Sequence, residues 1–286
     1  MKNGVQSLVK DREGVGRVSK QQEIIAALGV KPTIDVEEEI RRRVDFLKTQ
    51  VRNSGTTGLL IAISGGIDSA VATGLCKRAT DELRAETGMD YRTVGVLQPY
   101  GEQPDIEDSR SVVQAFQLEH AVEMNIEEAV DEVAIETEYA LKHLGIHRHI
   151  SKEGKGNVKA RTRMVMQYAL AFEMNLLVVG TDHASEAITG FFTKYGDGAV
   201  DITPLSTLNK RQVRMLAKAL GVPEPILTKA PTAGLWDGQT DEGELGISYE
   251  ANSDYLEGKE IDEATRIKLE KQYDKTAHKR LPIPGI

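Results

Sequence analysis

Leu59-Leu60-Ile61-Ala62-Ile63-Ser64-Gly65-Gly66-Ile67-Asp68-Ser69 decides how this chain folds. Residues 59–63 form a short apolar run, the length of a buried strand. Two glycines then let the backbone turn tightly, and a helical pattern follows over 67–84. A strand that turns through glycine straight into a helix opens a parallel β-α unit. The turn points several backbone N–H groups at one place. The helix N-terminus adds partial positive charge, and Ser64 and Ser69 add hydroxyls, so the loop suits an anion. It is not a GxxxxGK[ST] loop. Asp68 sits where an acid repels phosphate unless a cation intervenes, so the loop calls for phosphate together with Mg2+.

Outward from this stretch, strand and helix signals alternate. Strands are expected at 92–97, 120–124 and 176–179, the last ending in Gly180. Helices are expected at 104–118, 126–143, 158–172 and 209–220, the last stopped by Gly221 with Pro223 beyond. Upstream, Ser19 caps a helix ending near Gly29. Asp35 caps a longer one, with Val36, Ile40, Val44, Leu47 and Val51 on one face and Glu37–Arg41, Glu38–Arg42 and Glu39–Arg43 pairs on the others. The pattern predicts an α/β fold: a doubly wound parallel sheet flanked by helices, with ligands at the C-terminal strand ends. A single domain over 18–286 is expected, behind a mobile segment 1–17. Residues 151–157, 190–201 and 232–246 read as loops, and loops this long are usually functional or disordered.

Composition narrows the class of partner. The 286 residues are 40% hydrophobic and 28% charged, enough for a core and a solvated surface. The formal net charge of −8 speaks against nucleic acid and anionic membranes, which select basic surfaces. It does not exclude an anionic small substrate, which feels local charge. Cys76 is the one cysteine, so no intrachain disulfide forms. No apolar h-region opens the sequence and no run approaches a membrane span. A cytoplasmic protein is expected.

A second constellation lies downstream: Gly180-Thr181-Asp182-His183-Ala184-Ser185-Glu186, then Gly190-Phe191-Phe192-Thr193-Lys194-Tyr195-Gly196-Asp197-Gly198, Asp201, Pro204 and Asn209-Lys210-Arg211. Glu186 follows a strand at the same sheet edge as Asp68, so the two carboxylates can share an Mg2+. Lys194 and Lys210 bring cations near the loop. Arg161 shares a helix with Lys159 and Arg163, which reads as a polar face. His143, His147 and His149 read as a solvated helix end rather than a metal site.

Ser64–Ser69 resembles the pyrophosphate loop of the N-type ATP pyrophosphatases, which cut ATP between the α and β phosphates. The stretch 180–198, with Gly156-Asn157-Val158-Lys159-Ala160-Arg161, Lys229-Ala230-Pro231-Thr232-Ala233, Asp254-Tyr255-Leu256-Glu257-Gly258-Lys259 and His278-Lys279-Arg280, resembles the ammonia-dependent NAD synthetases over about 20–281. The resemblance implies that Ala62, Ile63, Ser64, Gly65, Gly66, Ile67, Asp68, Ser69, Gln103, Thr181, Lys210 and Thr232 bind ATP. It implies that Asp68 and Glu186 hold Mg2+, and that Arg161, Lys194, Asp201, His278 and Lys279 bind deamido-NAD. The family is homodimeric with deamido-NAD across the dimer interface, for which the amphipathic helix 36–51 is a candidate. Leu97 stands where some relatives carry an arginine, and the acidic-aromatic tail of many relatives is absent after Arg280.

The implied reaction is ATP-dependent amidation of deamido-NAD with free ammonia through an adenylate, giving NAD, AMP and pyrophosphate. Asp68 and Lys210 would act at ATP. Asp197, between two glycines, is the candidate for handling ammonium. A glutaminase needs a nucleophile, normally a cysteine thiolate, and Cys76 lies on the loop helix instead. The competing readings are another amidotransferase of the same superfamily and a catalytically silent adenine-nucleotide sensor.

Overall fold

The computed structural model describes residues 18–103, 105–229 and 240–286. The expected mobile segment 1–17 and the expected ATP contact Thr232 lie outside the described residues. In chain order the elements are α1 (Lys20–Leu28), α2 (Val36–Ser54), β1 (Gly58–Ala62), α3 (Ile67–Thr87), β2 (Arg92–Leu97), α4 (Ile106–Ala115), β3 (His120–Glu123), α5 (Glu127–His143) and α6 (Lys152–Met174). Then come β4 (Leu177–Val179), α7 (Ala184–Thr189), α8 (Lys210–Leu220), α9 (Glu224–Thr228), α10 (Asp241–Leu245), α11 (Tyr249–Leu256) and α12 (Glu263–Lys275), with a 3-10 turn over Ala277–Lys279.

The caps explain where helices begin. The Ser19 side chain accepts from the Gln22 N–H at 3.2 Å, and the Gln22 side chain accepts from the Ser19 N–H at 2.9 Å. Asp35 caps α2 through the Glu38 N–H at 2.9 Å, and Asn209 caps α8 through the Gln212 N–H at 2.9 Å. Helix ends at Gly29, Gly55, Gly88 and Gly221 close in the left-handed conformation that glycine adopts without strain.

The strands form one parallel sheet in the order β3-β2-β1-β4, with Leu60 of β1 beside Val94 of β2 and Val178 of β4. Its two faces bury different residues. Leu59, Ile61 and Ile63 join Ile40, Val44 and Leu47 of α2, Leu75 of α3 and Leu216 of α8 in one core. Leu60, Val94, Val96 and Val178 join Ala171, Tyr168 and Met174 of α6 in another. The sheet is therefore covered on both sides, as the sequence predicts. A third cluster, with Ile24, Ile188, Tyr255, Leu256 and Leu269, packs α1, α7, α11 and α12 together. Among the described residues no helix is long and apolar enough to cross a membrane.

The strand order fixes the site. The chain steps from β1 outward to β2 and β3, then returns to place β4 on the other side of β1. That reversal opens a crevice beyond the C-terminal ends of β1 and β4, where ligands bind in such sheets. Segment 190–201 comes back along β4, with Ile202 bridged to Val179.

Three expectations need correction. Residues 151–157 are not a loop. Ser151 caps α6 by accepting from the Gly154 N–H at 3.0 Å, and the helix runs from Lys152. Gly154 and Gly156 read as breakers, yet a Cβ at 154 would sit 3.1 Å from the Ile150 side chain, so the start of the helix favours glycine there. Within 232–246, residues 241–245 are helical as α10, whereas 230–239 lie outside the described residues. Finally, the apolar face of α2 is spent inside the chain. Ile40, Val44, Leu47 and Val51 are all buried, each such side chain contributing roughly 1.5–3 kcal/mol, so this face is not free for a dimer.

Candidate active site

The loop after β1 is braced by its own side chains. Ser69 Oγ donates to the Gly66 carbonyl at 2.9 Å and accepts from the Ser64 N–H at 3.3 Å, and Ser64 Oγ accepts from the Gly66 N–H at 3.3 Å. Gly65 has φ +76°, and a Cβ there would fall 2.8 Å from Asp108 Cβ and 3.1 Å from the Ser109 nitrogen. Only glycine lets α4 lie this close to the turn. No side chain caps the α3 N-terminus at Gly66. Its first N–H groups are left for an anion.

Behind the loop is a compact charged cluster. Lys210 opens α8 and is 1% exposed. Its Nζ donates to Asp68 Oδ2 at 2.6 Å, lies 3.5 Å from His183 Nε2, and stands 4.9 Å over the Tyr249 ring. Tyr249 is held in turn by its hydroxyl, which donates to Asp241 Oδ2 at 2.9 Å. Burial pushes the Asp68 carboxyl up, but Lys210 and His183 outweigh it and hold the group well below the usual carboxylate range. Glu186 goes the other way. Burial, with Asp68 and Asp182 nearby, pushes it up to about 8, although His183 and Lys210 pull against the shift.

Asp68, His183 and Glu186 bring ligand-type atoms within 4.8 Å of one another. The carboxylates fit a divalent cation. Asp68 Oδ2 is held by Lys210, while the buried Oδ1 makes no well-formed hydrogen bond and has only the His183 ring edge nearby, so it can turn to a metal. His183 fits less well. It caps α7, with Nδ1 accepting from the Glu186 N–H at 3.3 Å. A neutral imidazole has one lone-pair nitrogen, and this cap uses it, which leaves the proton on Nε2. His183 therefore presents a donor edge 3.3 Å from Asp68 Oδ1 and 3.7 Å from Glu186 Oε2.

These groups open into one cavity of about 1210 Å³. Of the residues singled out in the sequence, Ala62, Ile63, Ser64, Gly66, Ile67, Asp68, Ser69, Gln103, Thr181, Glu186, Asp197, Lys210 and Lys279 line it. Gly65 packs behind the turn against α4. Asp197 lines the cavity, and its Oδ1 accepts from the Thr193 N–H at 2.8 Å. Burial raises its carboxyl above the ordinary value. Lys279 donates to the carbonyls of Gly190 and Phe192 at 2.7 and 2.5 Å, tying the 3-10 turn to the segment that carries Asp197.

Besides Gly65, four sequence candidates among the described residues do not line the cavity of the single chain. Arg161 is exposed and donates through Nη2 to the Lys194 carbonyl at 3.2 Å. Lys194 stands over the Tyr195 ring at 5.2 Å. Asp201 accepts from the Val178 N–H at 2.7 Å and from the Tyr168 hydroxyl at 3.1 Å. His278 is exposed. Conversely, Arg163 and Lys229 line the cavity without having been assigned a role. His183 and Tyr249 were also missed. His183 had a legible signal, because His-x-x-Glu after a strand has the spacing of a capping box.

Comparison with known proteins places this geometry. A model of the family described as NAD synthase matches residues 39–282. The NH(3)-dependent NAD(+) synthetase of Exiguobacterium sibiricum is 47% identical over 270 residues, covering 93% of this chain and 98% of the relative. That of Escherichia fergusonii is 48% identical over 267 residues, covering 92% and 95%. Among solved structures, the NAD+ synthetase of Burkholderia pseudomallei superposes with TM-score 0.79 at 38% identity, covering 93% of this chain and 99% of that one. An NMN synthetase from Francisella tularensis gives 0.78 at 34% identity, covering 89% and 99%.

Proposed function

The chain belongs to the NAD synthase family and is an ammonia-dependent ligase that amidates deamido-NAD at the expense of ATP; we propose that the cavity at the β1–β4 crevice does this in two steps. The observation that carries the proposal is the joining of an uncapped α3 N-terminus, a buried lysine and two convergent carboxylates in one cavity. In the first step an oxygen of the nicotinate carboxylate attacks the α-phosphorus of ATP, and the bond from α-phosphorus to the bridging oxygen breaks. Pyrophosphate leaves, and an acyl adenylate remains. The N–H groups at 64–69 and the Lys210 ammonium receive the negative charge on the departing phosphates. Asp68 and Glu186 would hold Mg2+, which when bound would supply further charge neutralisation at the phosphates.

In the second step ammonia attacks the acyl carbon, AMP leaves with the electron pair of the broken C–O bond, and the new nitrogen sheds a proton. Ammonium has no lone pair to attack with, so a group must bind it and take a proton. Asp197 suits this role: it lines the cavity, and burial raises its carboxyl above the ordinary value, which makes it a better proton acceptor. Cys76 is free and buried, and burial pushes its thiol well above the ordinary value. An inert thiol supports free ammonia, not glutamine, as nitrogen donor, and fits a reducing, cytoplasmic setting.

The active species is a homodimer. The exposed side of α6 carries Val165 and Phe172, and the neighbouring α5 exposes Val133, Ile135 and Tyr139. This apolar surface is where a second copy would bury most. Arg161 lies four residues before Val165 on the same side of α6, so a residue that is outside the cavity of its own chain can face ligand in a dimer.

Incubation of the chain with ATP, Mg2+, deamido-NAD and ammonium should yield equal amounts of NAD, AMP and pyrophosphate. Ammonia-free glutamine should give no NAD. Nucleotide binding without pyrophosphate release would mean a sensor and overturn the proposal.

A further inference from the structure

Arg163 is the cavity cation with the least to do in the ligand-free chain. It projects from α6 into the cavity wall, on the same side of the helix as Lys159. Its backbone and Nε are locked to the end of β2. Nε donates to the Gln98 carbonyl at 3.1 Å, and Gln98 Nε2 donates to the Arg163 carbonyl at 3.0 Å. Gln98 is itself fixed by Gln167, whose Nε2 donates to Gln98 Oε1 at 2.8 Å, and both glutamines are buried.

This ladder orients the guanidinium and leaves its Nη groups over. Among the described residues no carboxylate forms an ion pair with them. Lys210, by contrast, is paired with Asp68, and Lys229 is paired with Asp105 and Asp108 at 2.6 and 2.7 Å. Burial lowers the Arg163 guanidinium from its ordinary value, and Asp197 is the acid that acts against the shift. A desolvated guanidinium without a counterion is unfavourable, and its flat fork matches a carboxylate.

Given the ligase function, the phosphates of ATP already have the 64–69 loop, Lys210 and the metal-binding carboxylates. The nicotinate carboxylate has no partner yet. It must also lie beside Asp197, since ammonia attacks its carbon. We propose that Arg163 binds the nicotinate carboxylate of deamido-NAD through its two Nη groups, presents one oxygen to ATP, and holds the other as the acyl oxygen gains charge during ammonia attack. Arg163 forms no covalent bond. It makes the site selective for the acid over the amide, and so favours release of product.

The inference rests on the ligase function, and its test does not depend on turnover. Binding of deamido-NAD, NAD and ATP to the full-length protein is measured by calorimetry for the parent, Arg163→Gln and Arg163→Lys. A charge-assisted fork predicts that Arg163→Gln loses at least ~10-fold in affinity for deamido-NAD. NAD and ATP affinities stay near those of the parent, so the preference for acid over amide collapses. Arg163→Lys keeps the charge without the fork and should retain part of the preference; if Arg163→Gln fails to fold, a reduced preference in Arg163→Lys decides. An unchanged preference, equal losses for deamido-NAD and NAD, or a loss confined to ATP would each overturn the proposal. Failure of the ligase function itself would appear separately, as no NAD formed by the parent.

Discussion

Asp68 and Lys210, both proposed to act at ATP, bind each other in the structure, and this makes a sharp prediction. Lys210 is 1% exposed and its ammonium sits 2.6 Å from Asp68 Oδ2. Asp68→Asn keeps the shape and removes the charge. Removing one partner of a buried pair costs about 3–5 kcal/mol, because the other charge is stranded. The Asp68 side chain retains 19% exposure, which places the loss at the lower end, about 3 kcal/mol. For a chain of this size that is a fall in melting temperature of roughly 6–12 °C. Lys210→Met strands the carboxylate instead and should cost a similar amount.

The double variant separates this account from loss of shape. With both charges gone neither is stranded, so Asp68→Asn/Lys210→Met should be more stable than the summed single losses by on the order of 1–3 kcal/mol. Guanidinium unfolding in EDTA near neutral pH measures all four proteins. The pH matters in sign. A carboxyl held below its ordinary value contributes fully above that value, and the contribution is lost as pH falls through the folded value. Adding Mg2+ should stabilise the parent by mass action and leave Asp68→Asn nearly unmoved. All three variants should lose at least ~100-fold in NAD formation, about 2.7 kcal/mol of barrier. Strict additivity in the double variant, or a full Mg2+ response in Asp68→Asn, would refute the reasoning.

Other outcomes follow from the same geometry. Asp197→Asn should leave pyrophosphate release intact and slow amide formation, with rising pH restoring part of the rate; quench-flow assay of the two half-reactions checks this, and failure of the first half would assign Asp197 to ATP or to loop closure. In EDTA, Glu186 binds a proton in the folded state that the unfolded state has already released. Its contribution is therefore full below the ordinary carboxylate value and lost as pH rises through about 8, while Glu186→Gln or added Mg2+ should flatten that fall in unfolding midpoints. Phe172→Glu puts a charge at the centre of the exposed α6 surface and should yield a folded monomer by light scattering; an unchanged dimer would move the interface elsewhere.

Much of this was legible in the sequence for identifiable reasons. The sheet was readable because its strands are short apolar runs set between helices, and Ser19 and Asp35 both cap where the pattern places them. Gly154 and Gly156 hid the first turns of α6, since glycine signals a break, whereas the close approach of the Ile150 side chain at the helix start does not show in the residue pattern. Amphipathy showed that α2 has an apolar face and could not show that α3 and α8 already cover it. Lys159, Arg161 and Arg163 of α6 are the most instructive case. They read together as one polar face, but Lys159 and Arg163 are four apart and share a side, while Arg161 falls between them on the other. Helical spacing alone separates the cavity residue from the exposed one.

The cavity of this acidic chain is lined by carboxylates and by cations set among them. Net charge of −8 coexists with Arg163, Lys210, Lys229 and Lys279 around one space, since a bound anion responds to charges within several ångströms. Most of that positive charge is stored. Asp68 neutralises Lys210, Asp105 and Asp108 neutralise Lys229, and two backbone carbonyls occupy Lys279. If ATP binds here as proposed, it would enter by exchange, with phosphates replacing carboxylates as partners and Asp68 free to face a metal. Exchange yields less net binding energy than filling an empty cationic pocket, because each new contact replaces an old one. It also keeps the buried lysines from being stranded when no nucleotide is bound. Arg163 does not follow this pattern: among the described residues its Nη groups have no ion-paired carboxylate to give up, so an anion reaching it gains a contact outright. If that anion is the nicotinate carboxylate, affinity is concentrated at the reacting group, and it disappears when the acid becomes an amide.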